Sequence, residues 1–188
     1  MLLLFFIIIR DLTFAATISL TKVIIPDYGK YIITFYGLQV IGAPFQAAHS
    51  DYFCRKKALI FAFLIVGIGH LFLYLSFSFK ILIFLWLCLI LNGLFGNVFP
   101  IALAGLMDIN YLNNPKKTMT LAMTALGIGW LGYVYGTLFL GIVKFFWATT
   151  FCSFLCAVLC YFFFKDKRDF DGYSKKISLK KEFNELIF

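Results

Sequence analysis

His49-Ser50-Asp51-Tyr52-Phe53-Cys54-Arg55-Lys56-Lys57 is a short polar island between two long apolar runs. It gathers one acid and three bases. Asp51 stands four residues before Arg55, the spacing of a charge-locked turn that joins two apolar helices at a membrane edge. The runs on either side then have to be membrane spans.

Composition agrees. The chain has 188 residues, of which 62% are hydrophobic and 14% charged, and its mean hydropathy is +0.92. A soluble domain carries roughly 45–50% apolar and about 25% charged residues. The excess here lies in long runs, which excludes a single aqueous core and makes the chain an all-α integral membrane protein. At about 20 apolar residues per crossing, six transmembrane helices are expected at 2–21, 31–49, 58–77, 81–105, 119–143 and 145–164. Lys144 is nearly the only break between the last two. The first run has no basic region before it and no small-residue cleavage site after it, so it reads as a span and not as a signal peptide.

The basic residues are distributed unevenly. Arg55, Lys56, Lys57, Lys116, Lys117 and the seven bases of the tail fall on one side, whereas Lys22, Lys30, Lys80 and Lys144 fall on the other. This bias places both termini in the cytoplasm, with the chain in a plasma or inner membrane. The net charge of +8 is then a topology signal and an attraction to anionic lipid; no nucleic-acid partner is implied. Residues 1–164 form the six-span bundle, and 165–188 a basic cytoplasmic tail. Within that tail Leu179, Phe183, Leu186 and Ile187 share one face of a short amphipathic helix; a solvated tail is the other reading. Cys152, Cys156 and Cys160 recur at helical spacing within an apolar run with no His or carboxylate beside them. They read as packing residues, and no metal or cofactor is expected.

With the spans placed, the chain resembles the major facilitator superfamily. That family's signature between spans two and three, G-x-x-x-D-R/K-x-G-R-R/K, is matched here at Asp51, Arg55 and Lys56. Ala47, Tyr52 and Cys54 depart from it. The family's fourth span reads R-x-x-x-G-x-G, then a proline, small residues, an acid and P-x-x-R-G. Here Gly93, Gly96, Pro100, Ala102, Ala104, Asp108, Pro115, Lys116 and Lys117 follow that order, with Leu89 in place of the arginine. The resemblance covers one half of a twelve-span fold, two inverted triplets of helices, and the tail resembles the linker between halves. It implies secondary transport of a small solute by alternating access, with a second six-span half or a homodimer completing the site. It also implies that Asp51, Arg55 and Asp108 form an inward-side gate. The alternative reading of Asp51 and Arg55 is that they only set topology and loop shape.

Inside the membrane, Arg10 and Asp11 are the costliest residues, and such ions usually face a bundle interior or an aqueous cavity. They are candidates for a substrate or proton pathway together with Tyr36, Gln39, Asn92 and Asn97. A span that begins later, leaving Arg10 and Asp11 at the interface, is the competing reading. His70 reads as a packed neutral imidazole. Gly132 and Gly136, at small-xxx-small spacing, read as a helix contact, as do Gly93 and Gly96, and Pro44 and Pro100 as kinks. Two other functions compete. A non-transporting membrane scaffold, or the remnant of a disrupted transporter gene, fits the half-size chain. An intramembrane enzyme fits less well, because His49-Ser50-Asp51 are sequence neighbours that do not point at one another and no G-x-S-x-G turn supports them.

Overall fold

The computed structural model describes residues 2–25, 28–52, 54–110 and 114–164. The basic tail, with its expected amphipathic helix, lies outside the described residues. Apolar runs in a bilayer have no water to satisfy the backbone, so each must bond internally as a helix. The described residues form α1 (Leu2–Ile24), α2 (Tyr28–Tyr52), α3 (Arg55–Phe79), α4 (Leu82–Phe95), α5 (Val98–Asn110), α6 (Pro115–Leu140) and α7 (Ile142–Phe163), with no strand among them. Five stretches are long and apolar enough to cross a membrane: α1, α3, α4 with α5, α6 and α7. α2 has the length, 25 residues, but is the least apolar helix.

Local chemistry fixes the ends. Cys54 caps α3, its Sγ accepting from the Lys57 N–H, and Asn114 caps α6 in the same way, its Oδ1 accepting from the Lys117 N–H ahead of Pro115 in the first turn. The join between α6 and α7 corrects the sequence expectation. It falls at Gly141, three residues before Lys144, where φ is +74°. Only glycine takes that conformation without strain, so the chain turns on one residue.

The fourth span departs from expectation as well. It was expected to run unbroken over 81–105, but it divides at Gly96–Asn97 into α4 and α5. Pro100 is the cause. It offers no N–H to the Gly96 carbonyl four residues earlier, and its ring crowds that oxygen. The Gly96 N–H closes α4 on the Asn92 carbonyl at 3.1 Å, and the Val98 N–H turns back to the Gly96 carbonyl at 3.0 Å. Two carbonyls freed by the break are met by side chains. Asn97 Nδ2 donates to the Gly93 carbonyl at 3.0 Å, and Gln46 Nε2 on α2 donates to the Leu94 carbonyl at 3.1 Å. Asn97→Ala is therefore expected to destabilise the bundle by about 1 kcal/mol, measured by unfolding in a detergent titration. An unchanged midpoint would mean that the Gly93 carbonyl finds another donor.

α1 packs on α6, α7 and α5, α3 on α4 and α7, and α2 on α4. Two apolar cores result. One joins Phe6, Leu59, Phe63, Val98, Ile101 and Cys156, and the other joins Phe14, Leu20, Leu73, Leu85, Leu89 and Phe146. Along α1, α3, α4–α5 and α7 the residues between these cores are polar and buried: Asp11 and Thr13, His70, Asn92 and Asn97, Thr149, Thr150 and Ser153. The bundle is thus two oily layers with a polar belt between them.

Candidate functional site

At the loop end of α3 a charged clamp ties three helices together. Arg55 is the first residue of α3 and is only 7% exposed. Its Nε donates to Asp108 Oδ2 at 2.5 Å and its Nη2 to Asp108 Oδ1 at 3.4 Å, a two-point contact with α5. Its Nη1 contacts Asp51 Oδ1 at 2.7 Å and donates to Ser50 Oγ at 3.0 Å, both on α2. The planar guanidinium suits this fork, which a lysine would not reproduce. The carboxylates are partly solvated, with side-chain exposures of 60% for Asp51 and 40% for Asp108, so the clamp sits between a surface pair and a buried one. Lys56, the other base of the motif, turns away: its Nζ lies 5.4 Å from the centre of the Tyr161 ring on α7. Of the string His49-Ser50-Asp51, Ser50 donates to the Ala47 carbonyl and accepts from Arg55.

The polar belt holds the second cluster. Arg10, Thr13, Thr17, Gln39, His70 and Asn92 line a cavity of about 20 Å³, enough for one water. Arg10 Nη1 donates to Asp11 Oδ1 at 2.6 Å, and its guanidinium carbon lies 4.9 Å from the centre of the Phe14 ring. Asp11 is 1% exposed and faces α6, where a Cβ on Gly129 would stand 2.7 Å from the Asp11 Cβ. Asp11 Oδ2 and Asn92 Oδ1 are buried acceptors with no donor among the described residues. Both Arg10 and Asp11 lie in the interior of the bundle and not at its rim.

His70 joins three helices. Its Nε2 lies 2.8 Å from Thr17 Oγ1 on α1 and its Nδ1 3.1 Å from Thr150 Oγ1 on α7. Each hydroxyl also lies within bonding distance of its own helix, Thr17 at 2.9 Å from the Thr13 carbonyl and Thr150 at 2.8 Å from the Phe146 carbonyl. A hydroxyl has one proton and a neutral imidazole one N–H. With a neutral ring, one threonine must therefore turn its proton from the helix to the ring.

Other candidates lie elsewhere. Tyr36 is 45% exposed and packs edge-on against Phe14, with ring centres 5.8 Å apart. Asn97 serves the helix break. Gly132 and Gly136 do not make one contact: Gly132 meets Leu12 of α1 and Gly136 the Phe145 ring of α7. Gly93 packs on Leu38 of α2, and Gly96 caps α4. Sequence reasoning passed over Gln46, Gly42, Thr17 and Thr150. The repeat Thr13, Thr17, Thr21, four residues apart within an apolar run, was the available signal for a polar stripe on α1.

The family model described as Major Facilitator Superfamily matches residues 2–184. No curated protein and no solved structure matches the chain.

Proposed function

The chain belongs to the Major Facilitator Superfamily, and from that premise we propose that it is a six-span half of a secondary active transporter, two inverted triplets of helices, moving a small solute by alternating access. The end that carries Arg55 faces the cytoplasm, as do both termini, and residues 165–188 link this half to the next. The second half is a separate six-span bundle or another copy of this chain.

One observation carries the pairing. Among the five stretches long and apolar enough to cross a membrane, α6 has both the lowest hydropathy and the smallest buried share, and α2 is less apolar still, with Ile33 and Val40 open. A helix left to lipid should be the most apolar of its set, because polar groups are costly in hydrocarbon. The two least apolar helices are the two most open, which fits protein or an aqueous path beside them. The clamp of Arg55, Asp51 and Asp108 is the cytoplasmic gate of this reading, and the cavity at Arg10, Gln39 and Asn92 belongs to the solute or proton path. Gate residues that bond across three helices are suited to break together when the half rocks.

The test is flux. The chain assembled with its second half in proteoliposomes is expected to take up a solute when an ion gradient is imposed, and an ionophore should abolish that uptake. Absence of gradient-driven uptake across sugars, amino acids, organic acids and lipophilic drugs would favour a non-transporting scaffold. Asp51→Asn is expected to lower uptake about tenfold, equivalent to about 1.4 kcal/mol, while its membrane level stays at the wild-type value. Equal loss of both would reduce Asp51 to a topology signal.

A further inference from the structure

Below the clamp, on the flank of the bundle, α2 and α3 part around a cavity of about 340 Å³, within the size range of ligand sites. Phe45, Gln46 and His49 of α2, Phe61 of α3, Phe95 at the end of α4 and Ile101 of α5 line it. Its walls therefore come from both sides of the helix break. Phe45 and Phe61 are 71% and 48% exposed, so the groove opens sideways, on the flank of the bundle. A turn of helix advances about 5.4 Å. His49, one turn beyond Phe45 on α2, is the last lining residue at the charged end, and Lys57 stands one turn beyond Phe61 on α3 toward the same end. The groove is thus lined mainly by apolar side chains, with His49 in its wall and Lys57 following at the charged end. The nearest acids along the chain, Asp51 and Asp108, are committed to Arg55.

We propose that this groove binds one acyl chain of an anionic phospholipid, with the headgroup phosphate held at the rim by Lys57 beside His49. The apolar lining and the lateral opening select a lipid tail over a soluble solute. The basic rim, its neighbouring acids already paired, selects a negative headgroup. A tail lying on Phe95 and Ile101 touches α4 and α5 together and so braces the angle between them.

The proposal is tested on the intact chain in detergent, titrated with phosphatidylglycerol or phosphatidylcholine and read by native mass spectrometry. This needs no flux, so failure of the transporter reading leaves the result interpretable. One phosphatidylglycerol adduct is expected, retained about fivefold better than phosphatidylcholine, the weight of a single lysine near an anionic surface. Lys57→Gln, an exposed change, should bring phosphatidylglycerol down to the phosphatidylcholine level. The pair Phe45→Ala and Phe61→Ala should lower retention of both lipids about tenfold through lost apolar contact, with helix content checked by circular dichroism. Equal retention of the two lipids by the wild type would overturn the proposal, as would adducts that survive the phenylalanine pair. A lipid-free dimer that dissociates on the same pair would instead assign the groove to a second copy of the chain.

Discussion

Arg55→Gln is expected to open the charged end of the bundle. The readout is a cysteine placed at Gln39, on the cavity wall, with Cys54 replaced by Ser so that the α3 cap is kept. An impermeant maleimide added from the side that carries Arg55 should label this cysteine about 30-fold faster in Arg55→Gln, since a clamp worth about 2 kcal/mol sets a closed-to-open ratio of that order. The figure is deliberately below that of a fully buried pair, because Asp51 and Asp108 keep much of their hydration. Asp108→Asn should act more strongly than Asp51→Asn, since Asp108 takes two contacts from the guanidinium and Asp51 is the more exposed. Arg55→Lys should behave nearly as Arg55→Gln, since an ammonium cannot span both carboxylates and Ser50. Unchanged labelling in all four variants would make the clamp a passive anchor.

The largest loss of stability is expected from Gly42→Val. A side chain at Gly42 would run into the Leu94 backbone, which is an immovable wall, at the turn where α4 ends. Pushing α2 away there also pulls Gln46 from the Leu94 carbonyl. Overpacking costs about 1–3 kcal/mol, and an orphaned carbonyl about another 1–3 kcal/mol. Gly42→Val should therefore unfold at markedly lower detergent load, by about 3 kcal/mol or more. Gly37, five residues earlier on the same helix, has open space around it, and Gly37→Ala should stay within about 0.5 kcal/mol. Equal effects at the two sites would mean that helix propensity, and not the approach of α2 to α4, governs this helix.

These two sites differ in how far they could be read from the chain alone. The clamp was legible. Asp51 and Arg55 are one helical turn apart, and Asp108 falls at the end of a span that must return to the same side, so alternation of spans brings the three together. The helices themselves followed from runs of apolar residues, with edges accurate to a few positions. Gly42 was not legible, because its role depends on which helix α2 packs against, and hydropathy says nothing of that. The break at Gly96 was half-visible. Pro100 signalled a kink, but a full stop also required donors for the freed carbonyls, and one of those, Gln46, lies 48 residues away from Leu94 in sequence. His70 is buried, as a packed imidazole would be, but its partners were not legible for the same reason. A histidine in an apolar run looks like packing until two threonines from other helices arrive on either side of its ring.

The Gln46 bond to Leu94 also imposes an order on biogenesis. Residues 82–108 leave the ribosome as one apolar stretch that Pro100 already disposes to bend. Bending that stretch exposes a carbonyl to hydrocarbon unless a donor already waits beside it. α2 is synthesised first, so its amide is in place when the later span arrives. A chain in which the order of these segments was permuted, with every contact preserved in the final fold, would have to bend before its donor existed.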